Sequence, residues 1–185
     1  LLWSERLPVA DEALAAGRAA WDALRAPDPT SLAALAARGT AGIPQLGAAM
    51  RRHLQELPGT RDGLGLSQRL ILGLLAEQTR TAAGVFGALM TEREPLPWMT
   101  DLIFHDVLKD LRGVRRPVIT GAVEGYDGPW AEEVLSLTAL GRAVLSGAVD
   151  WMSLAPPARW VGGVSIPGSA PCWRWDEASS DVMHR

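Results

Sequence analysis

The side chains that could act as nucleophiles or metal ligands are few in this chain and lie far apart. The histidines are His53, His105 and His184, and the one cysteine is Cys172. No histidine stands in a pair of the HExxH kind, and a zinc ion at Cys172 would need scattered carboxylates as further ligands. We therefore predict no metal site and no cofactor. The histidines are interpreted as surface residues and Cys172 as a packing residue, with a nucleophilic pair of Cys172 and a histidine as the alternative.

Patterns for phosphate binding and for acid–base catalysis are also incomplete. Neither a P-loop nor a GxGxxG pattern occurs, and Gly162-Gly163 falls within a predicted strand, where paired glycines indicate a bulge or a close backbone approach. The carboxylates of Asp176 and Glu177 could transfer protons, but we interpret them as a solvated strand end or as partners of an arginine. The sequence therefore predicts no catalytic residues, and it leaves open whether the chain belongs to an enzyme.

Composition and charge place the chain among ordinary globular proteins. Of its 185 residues, 48% are hydrophobic and 21% are charged, the formal net charge is −3, and a single cysteine excludes a disulfide within the chain. No apolar run is long enough to cross a bilayer, and no signal peptide opens the sequence. We predict a cytoplasmic protein and, because the first residue is Leu1 rather than Met, a piece of a longer reading frame.

The first segment, residues 1–58, is predicted to be helical. Apolar residues at three- and four-residue spacing predict a buried stripe on one side of its first helix, and the members of the stripe are Leu14, Gly17, Trp21 and Leu24. A second helix follows Asp28-Pro29, and a third follows Pro44. The residues of the third helix that are predicted to face water are Arg51, Arg52 and Glu56. Residues 58–65 are rich in turn formers and are predicted to be a linker.

The middle segment, residues 66–150, has the order of elements found in a winged helix. Three predicted helices come first, and Thr81 is placed to cap the second. Two β-rich runs, at 117–123 and 133–138, then flank a glycine-containing loop, and Thr138 caps one more helix. The phrase LTALGR after the second run is similar to bacterial winged-helix regulators, so we predict a winged-helix-like module here.

The third helix of this module would read DNA in a winged-helix regulator, but its charges oppose that role. Its predicted inward residues are Leu102, Ile103, Val107, Leu108 and Leu111. Its predicted outward residues are Asp101, His105, Lys109 and Arg112, flanked by Asp106 and Asp110. Residues 100–133 contain four basic and seven acidic residues, which would repel a phosphate backbone. Arg112, Arg115 and Arg116 form either a small basic cluster at the base of the wing or favourable contacts with the C-terminal dipole of the helix.

The last segment, residues 156–185, is predicted to be a tryptophan-rich β-hairpin. Its strands would be 159–166 and 172–177, joined by a loop with prolines, so that alternate side chains share a face. The tryptophans of these strands are Trp160, Trp173 and Trp175. We interpret them as core residues, with an exposed face for a partner as the alternative.

Four phrases of the sequence resemble one bacterial protein family. They are LAAGRAAWDALRAPDP at 14–29, MRRHLQELPGTRDGLG at 50–65, LTALGRAVLSGAVDW at 137–151 and RWVGGVSIPGSAPCWRWDE at 159–177. Together they look like the C-terminal half of the domain-of-unknown-function 1835 (DUF1835) family. The resemblance implies that an N-terminal half precedes this one in the complete protein, and it assigns no activity and no functional residue to this half.

The predicted fold is mainly α, of the α+β class, with a helical segment, a winged-helix-like module and a C-terminal hairpin. The predicted function is that of a non-catalytic interaction module, which docks to its own N-terminal half or to a partner protein. A DNA-binding regulator and the accessory half of an enzyme with catalytic groups upstream are the alternatives. The candidate residues for an interaction surface are Arg112, Arg115, Arg116, Trp160, Trp173, Arg174, Trp175 and Asp176.

Overall fold

Three helices form the N-terminal segment of the computed structural model, which describes residues 8–121, 129–169 and 171–185. They are α1 (Asp11–Arg25), α2 (Thr30–Arg38) and α3 (Leu46–Leu54). The Asp28 carboxylate accepts a hydrogen bond from the backbone N–H of Thr30 at 2.8 Å, which opens α2. Gly39 ends α2 with a φ of +73°, a conformation that glycine adopts without strain. The predicted helices of this segment are confirmed.

Helix α1 buries a different side from the predicted one. Its buried residues are Ala20 and Ala23, whereas Leu14 and Trp21 are exposed. Helix α1 packs on α2 through a side that carries small alanines, which leaves the larger apolar side chains at the surface. The predicted apolar stripe is therefore a partly solvated face.

The middle segment has the topology of a winged helix. Its helices are α4 (Leu66–Glu77), α5 (Ala82–Ala88), which continues as a π-helical turn over Leu89–Arg93, α6 (Asp101–Arg112) and α7 (Ala139–Leu145). Its strands are β1 (Arg80–Thr81), β2 (Ile119–Thr120) and β3 (Val134–Leu137), and they form an antiparallel sheet in the order β1-β3-β2. Thr81 and Thr138 cap α5 and α7 as predicted, each accepting a hydrogen bond from the backbone N–H three residues on. Residues 122–123 of the first predicted β-rich run lie outside the described residues.

Helix α6 buries only part of the predicted face, with Leu108 and Leu111 buried as predicted. Its buried residues are Phe104, His105, Leu108 and Leu111. Leu102 and Ile103, which were predicted to point inward, are exposed, and His105, which was predicted to point outward, is fully buried. The His105 ring packs edge-on against Trp130, with ring centres 5.7 Å apart. The neighbouring Phe104 also contacts the Trp130 ring, at 6.2 Å, so α6 packs these two aromatic residues inward while the aliphatic side chains of its first turn face solvent.

The exposure of the charged residues of α6 follows from this orientation of the helix. Asp106 and Lys109 are exposed and form an ion pair at 3.1 Å. Asp101, Asp110 and Arg112 are half-buried. The outward face of α6 therefore combines aliphatic side chains with one internally compensated charge pair.

The C-terminal segment forms two hairpins instead of the single predicted one. Strand β4 (Arg159–Val161) pairs with β5 (Val164–Ile166), and β6 (Trp173–Asp176) pairs with β7 (Asp181–His184), in both cases antiparallel. A short 3-10 helix, Trp151–Leu154, precedes them. Gly162-Gly163 is the turn of the first hairpin, so the prediction that it lies inside one long strand is wrong.

One hydrophobic core runs through the N-terminal helices, the middle segment and the C-terminal hairpins. It includes Leu54 of α3, Leu72 of α4, Leu108 of α6 and Trp175 of β6. Residues 58–65, which were predicted to be a linker, are mostly buried within the same assembly. Among the described residues, none of the helices combines the length and the apolar character that crossing a bilayer requires.

Candidate functional site

A buried arginine lies where the helical segment meets the winged-helix-like module. Arg52 of α3 is only 4% exposed, so the prediction that it faces water is wrong. Its Nε and Nη2 donate hydrogen bonds to the two carboxylate oxygens of Glu94 at 2.6 and 2.7 Å, and its Nη1 donates to Glu56 at 2.7 Å. Burial by itself lowers the pKa of Arg52, but the hydrogen bonds and charges of Glu94 and Glu56 outweigh burial and raise the pKa above its usual value. The guanidinium therefore stays charged.

Ser67, in the first turn of α4, completes what we call the Arg52 network, which consists of Arg52, Glu56, Glu94 and Ser67. The Ser67 hydroxyl accepts from Arg52 Nη2 at 2.9 Å and donates to Glu56 Oε1 at 2.6 Å. The residue is fully buried, so a substrate has no access to its hydroxyl. The network therefore holds α3, α4 and the segment after α5 together.

A cavity of about 240 Å³ lies beside the network, between α3 and the segment that leads into α6. Its lining residues are Ala49, Arg52, His53, Glu56, Leu96 and Trp98. The centre of the Trp98 ring is 5.7 Å from Arg52 Cζ, and Trp98 is 45% exposed. Mostly apolar walls with a few polar groups are typical of binding cavities.

A second cavity, of about 320 Å³, adjoins the first. Its walls include Trp21 of α1, Leu32 of α2 and Met50 of α3. Ala49 and His53 line both cavities, so the two meet across α3. We call the two cavities together the helical groove. Trp21, in the wall of the second cavity, is 56% exposed, so the groove has an exposed tryptophan on each side of α3.

His53 separates the groove from the first C-terminal hairpin. Its Nε2 has no hydrogen-bond partner among the described residues and lies under Gly162 of the β4–β5 turn. Burial is the main reason why the pKa of His53 is lowered, the charge of Arg52 lowers it further, and the charge of Glu56 opposes the shift. The imidazole is therefore neutral at pH 7. His53 is half-buried and His105 is buried, so the prediction of surface histidines holds for His184 alone.

The Gly162-Gly163 turn fits against the end of α1 because neither residue has a side chain. The backbone N–H of Gly163 donates to the carbonyl oxygen of Leu24 at 2.8 Å. A Cβ atom on Gly163 would lie 2.1 Å from the carbonyl oxygen of Arg25, and Gly162 has a φ of +58°. The close backbone approach predicted for these glycines is confirmed.

Arg174 and Trp175 of β6 hold the buried loop 58–65. Arg174 is buried, pairs with Asp150 at 2.8 Å and donates to the carbonyl oxygen of Gly59 at 3.2 Å. Trp175 is also buried, and its backbone N–H donates to the Pro58 carbonyl at 3.0 Å. Their burial removes both residues from any exposed interaction surface.

Two further candidates on this hairpin are engaged within the chain. The Asp176 carboxylate accepts hydrogen bonds from the hydroxyls of Ser179 and Thr60, at 2.6 and 2.8 Å, and these hydrogen bonds lower the pKa of Asp176. Trp173 is half-buried and packs edge-on against His184, with ring centres 5.3 Å apart.

The remaining candidates differ in exposure. Arg112 is half-buried with its Nη2 3.7 Å from the Glu133 carboxylate, and burial is the first cause of its lowered pKa. Arg115 and Arg116 are exposed, and Trp160 is 69% exposed. The structure therefore does not join Arg112 to an exposed basic cluster with its two neighbours.

Cys172 packs in the core, as predicted. It is buried, and burial raises the pKa of its thiol, with Arg174 opposing the shift. Among the residues that the structure describes, no three or more His, Cys, Asp or Glu side chains are grouped so that they could hold a metal ion.

Comparison of the chain with protein families, with curated proteins and with solved structures finds no match. A function for this chain therefore has to be inferred from the geometry of its described residues.

Proposed function

We propose that this chain is a non-catalytic interaction module of a cytoplasmic protein, and that it docks a protein surface into the helical groove. The observation that carries the proposal is the exposure of Trp21 and Trp98 in the walls of two adjoining, mostly apolar cavities. A tryptophan buries a large apolar area when it is covered, and the residues that dominate binding energy at interfaces are enriched in tryptophan.

The occupant that we propose is the N-terminal half implied by the resemblance to the DUF1835 family. Helix α1 is the first helix of the described chain and forms a wall of the groove. A domain joined ahead of α1 would be tethered beside the groove, which raises its effective concentration there. Docking within one polypeptide therefore needs only a modest intrinsic affinity.

The buried polar clusters support a non-catalytic role. The side chains of the Arg52 network bind one another, and Arg69 binds the fully buried Asp62 at 2.8 Å. Catalytic acids, bases and nucleophiles have to come within hydrogen-bond reach of a substrate. Groups that are buried and already paired are suited to fixing the fold.

The test is to produce the N-terminal half of the complete reading frame as a separate chain and to measure its binding to this chain by isothermal titration calorimetry. We expect a micromolar or tighter Kd. Trp21→Ala or Trp98→Ala should weaken binding about thirtyfold, because loss of a dominant interface residue costs ~2 kcal/mol or more. Trp160→Ala is the matched control, since Trp160 is exposed but lines neither cavity. Absence of binding at micromolar concentrations, or equal weakening by all three variants, would contradict the proposal.

A DNA-binding regulator is the second candidate, and the strand order β1-β3-β2 of the winged helix favours it. The outward face of α6 opposes it, because Leu102, Ile103 and Asp106 are exposed there. The exposed Lys109 on this face is paired with Asp106, so the surface offers phosphates little net positive charge and offers base edges few hydrogen-bond donors. We therefore rank this function below protein docking.

A further inference from the structure

We infer that the second cavity of the helical groove takes an apolar side chain of the docked partner, and that Arg25, at the edge of this cavity, binds a carboxylate beside that side chain. The chemical class of the ligand is therefore an anion on an apolar stem. The biological occupant rests on the proposed docking function, whereas the anion site itself is a property of this chain.

The interior of the second cavity is apolar and uncharged. Its lining includes the buried side chains of Ala20, Leu32 and Met50. Among the described residues of the lining, His53 alone can titrate, and it is neutral at pH 7 because burial lowers its pKa. The volume of about 320 Å³ lies near the lower end of the range known for small-molecule sites. Such an interior favours an aliphatic or aromatic group as the part of the ligand that enters it.

A positive charge lies at the edge of this cavity. Arg25 Cζ is 5.6 Å from the centre of the Trp21 ring, and Trp21 lines the cavity. Arg25 is exposed, and it forms no ion pair with a carboxylate of the described residues. A cation above an aromatic ring still needs acceptors for its N–H groups, and a carboxylate offers two oxygens in a planar arrangement that matches a guanidinium.

The carboxylates closest to Arg25 in sequence are directed elsewhere. Asp22, three residues earlier, lines a separate cavity on another side of α1, together with Arg38. Asp28, three residues later, accepts a hydrogen bond from the backbone N–H of Thr30. A carboxylate of the partner therefore does not have to displace one of this chain from Arg25.

Arg18 adds positive charge near Trp21. It lies three residues before Trp21 and seven before Arg25, a spacing that places the three side chains on one side of α1. Arg18 is exposed and forms no ion pair within the described part of the chain. The two acidic residues in the first turn of α1 lie roughly 10 Å from it along the helix axis, where salt screens them. Asp22 can compensate at most one of the two arginines, so this edge of the cavity keeps a positive charge.

The experiment uses hexanoate as the probe and the full 185-residue chain as the receptor. Hexanamide and n-hexylammonium are the neutral and cationic probes of similar size. Binding is followed through the indole N–H resonance of Trp21 in two-dimensional NMR spectra, assigned with Trp21→Leu. We expect saturable binding of hexanoate that strengthens at low ionic strength, and about tenfold weaker binding of the other two probes. Binding of hexanamide or n-hexylammonium that equals that of hexanoate, or no saturable shift with hexanoate, overturns the inference.

The variant Arg25→Gln separates the charge from the cavity. It should bind hexanoate about tenfold more weakly and bind hexanamide unchanged, since the apolar interior is kept. Arg38→Gln is the matched control, because Arg38 is also an exposed arginine in the last turn of an N-terminal helix but lines neither cavity of the groove. Equal weakening of hexanoate binding by both variants, or by neither, contradicts the role of Arg25. If Arg25→Gln also loses hexanamide, the comparison of the three probes on the unmodified chain decides.

The anion site and the docking function can fail separately. Arg25→Gln should also weaken association of the N-terminal half about tenfold, whereas Arg38→Gln should not. Hexanoate binding without association of the N-terminal half would leave the anion site in place and remove the docking function. Association without hexanoate binding, or association that Arg25→Gln leaves unchanged, would remove the carboxylate contact alone.

Discussion

Glu94 holds Arg52 with both of its carboxylate oxygens, although 42 residues separate the two in the chain. Both side chains are almost completely removed from solvent. Arg52 belongs to α3, and Glu94 lies between α5 and α6, so this ion pair ties the N-terminal helices to the winged-helix-like module. The stability of the whole chain should therefore depend on it.

We predict that Glu94→Gln destabilises the chain strongly. Removal of one partner leaves the Arg52 charge buried without full compensation, which costs ~3–5 kcal/mol in the free energy of unfolding. Urea denaturation followed by circular dichroism measures this change. The exposed Glu92, two residues earlier, offers a matched control, and Glu92→Gln should change the free energy of unfolding by less than ~0.5 kcal/mol. A Glu94 variant as stable as that control would show that the pair contributes little.

We predict that stability decreases as the pH falls from neutral toward 5, and that His53 contributes to the decrease. The pKa of His53 in the folded chain is lowered below its ordinary value of 6.5. Above that value His53 is neutral in both the folded and the unfolded chain, and its contribution to the free energy of unfolding is fully present. At lower pH the unfolded chain binds a proton first, so the free energy of unfolding falls with pH.

The variant His53→Gln isolates this contribution. Its free energy of unfolding, measured by urea denaturation across the same range, should fall less steeply than that of the unmodified chain. Burial raises the pKa of Asp110, so this residue makes the free energy of unfolding increase as the pH falls. Both chains contain Asp110, so its effect cancels when their pH dependences are compared. Identical slopes would exclude His53 as the titrating group.

We predict that Gly163→Ala destabilises the chain, because the new methyl group would overlap the carbonyl oxygen of Arg25. Overpacking of this kind costs about 1–3 kcal/mol. Gly73, inside α4, is the matched control, since no atom lies within 4 Å of the position of its Cβ. Gly73→Ala should stabilise the helix by roughly 0.5–1 kcal/mol. Thermal unfolding of both variants checks the opposite signs, and a neutral Gly163→Ala would mean that the turn can move away from α1.

The features that local chemistry determines could be predicted from the sequence. Thr81 and Thr138 cap their helices, and Gly39 ends α2, because each of these effects involves residues only a few positions apart. The order of elements in the middle segment could be predicted for the same reason, with the exception of β1. That strand has two residues, too few to show a period.

The faces of α1 and α6 and the helical groove could not be predicted, because they depend on distant partners. The apolar spacing of α6 is compatible with more than one buried face, and residues distant in sequence that pack on the helix, such as Phe86 and Trp130, determine which face is buried. Arginine side chains usually lie at the surface, which is why Arg52 is predicted to face water. Its burial is possible because the guanidinium forms an ion pair with Glu94. Trp21 is predicted to be buried because its side chain is apolar. An apolar side chain can also remain exposed, as Trp21 does.

We predict that the thiol of Cys172 reacts slowly in the folded chain. Burial limits access to it and raises its pKa, so the fraction of reactive thiolate at neutral pH is lower than for a free cysteine. Ellman's reagent should label it at least about a hundredfold more slowly in buffer than in concentrated urea, since reaction then requires transient opening. Equal rates in both conditions would contradict the packing of Cys172 in the core.

We predict that the chain does not bind random duplex DNA, even at low ionic strength. The outward face of α6 presents Leu102, Ile103 and the ion pair of Asp106 with Lys109, so contact with phosphates would release few counterions. The double variant Ile103→Arg and Asp106→Arg places two positive charges on this face without changing a buried residue. If charge rather than shape prevents binding, the double variant should gain weak affinity that falls as salt rises. The value of log K should then decrease by about 2 for each tenfold increase in salt concentration. Fluorescence anisotropy of labelled duplex DNA measures the affinity and its salt dependence. Salt-dependent binding by the unmodified chain would place the DNA-binding function ahead of protein docking.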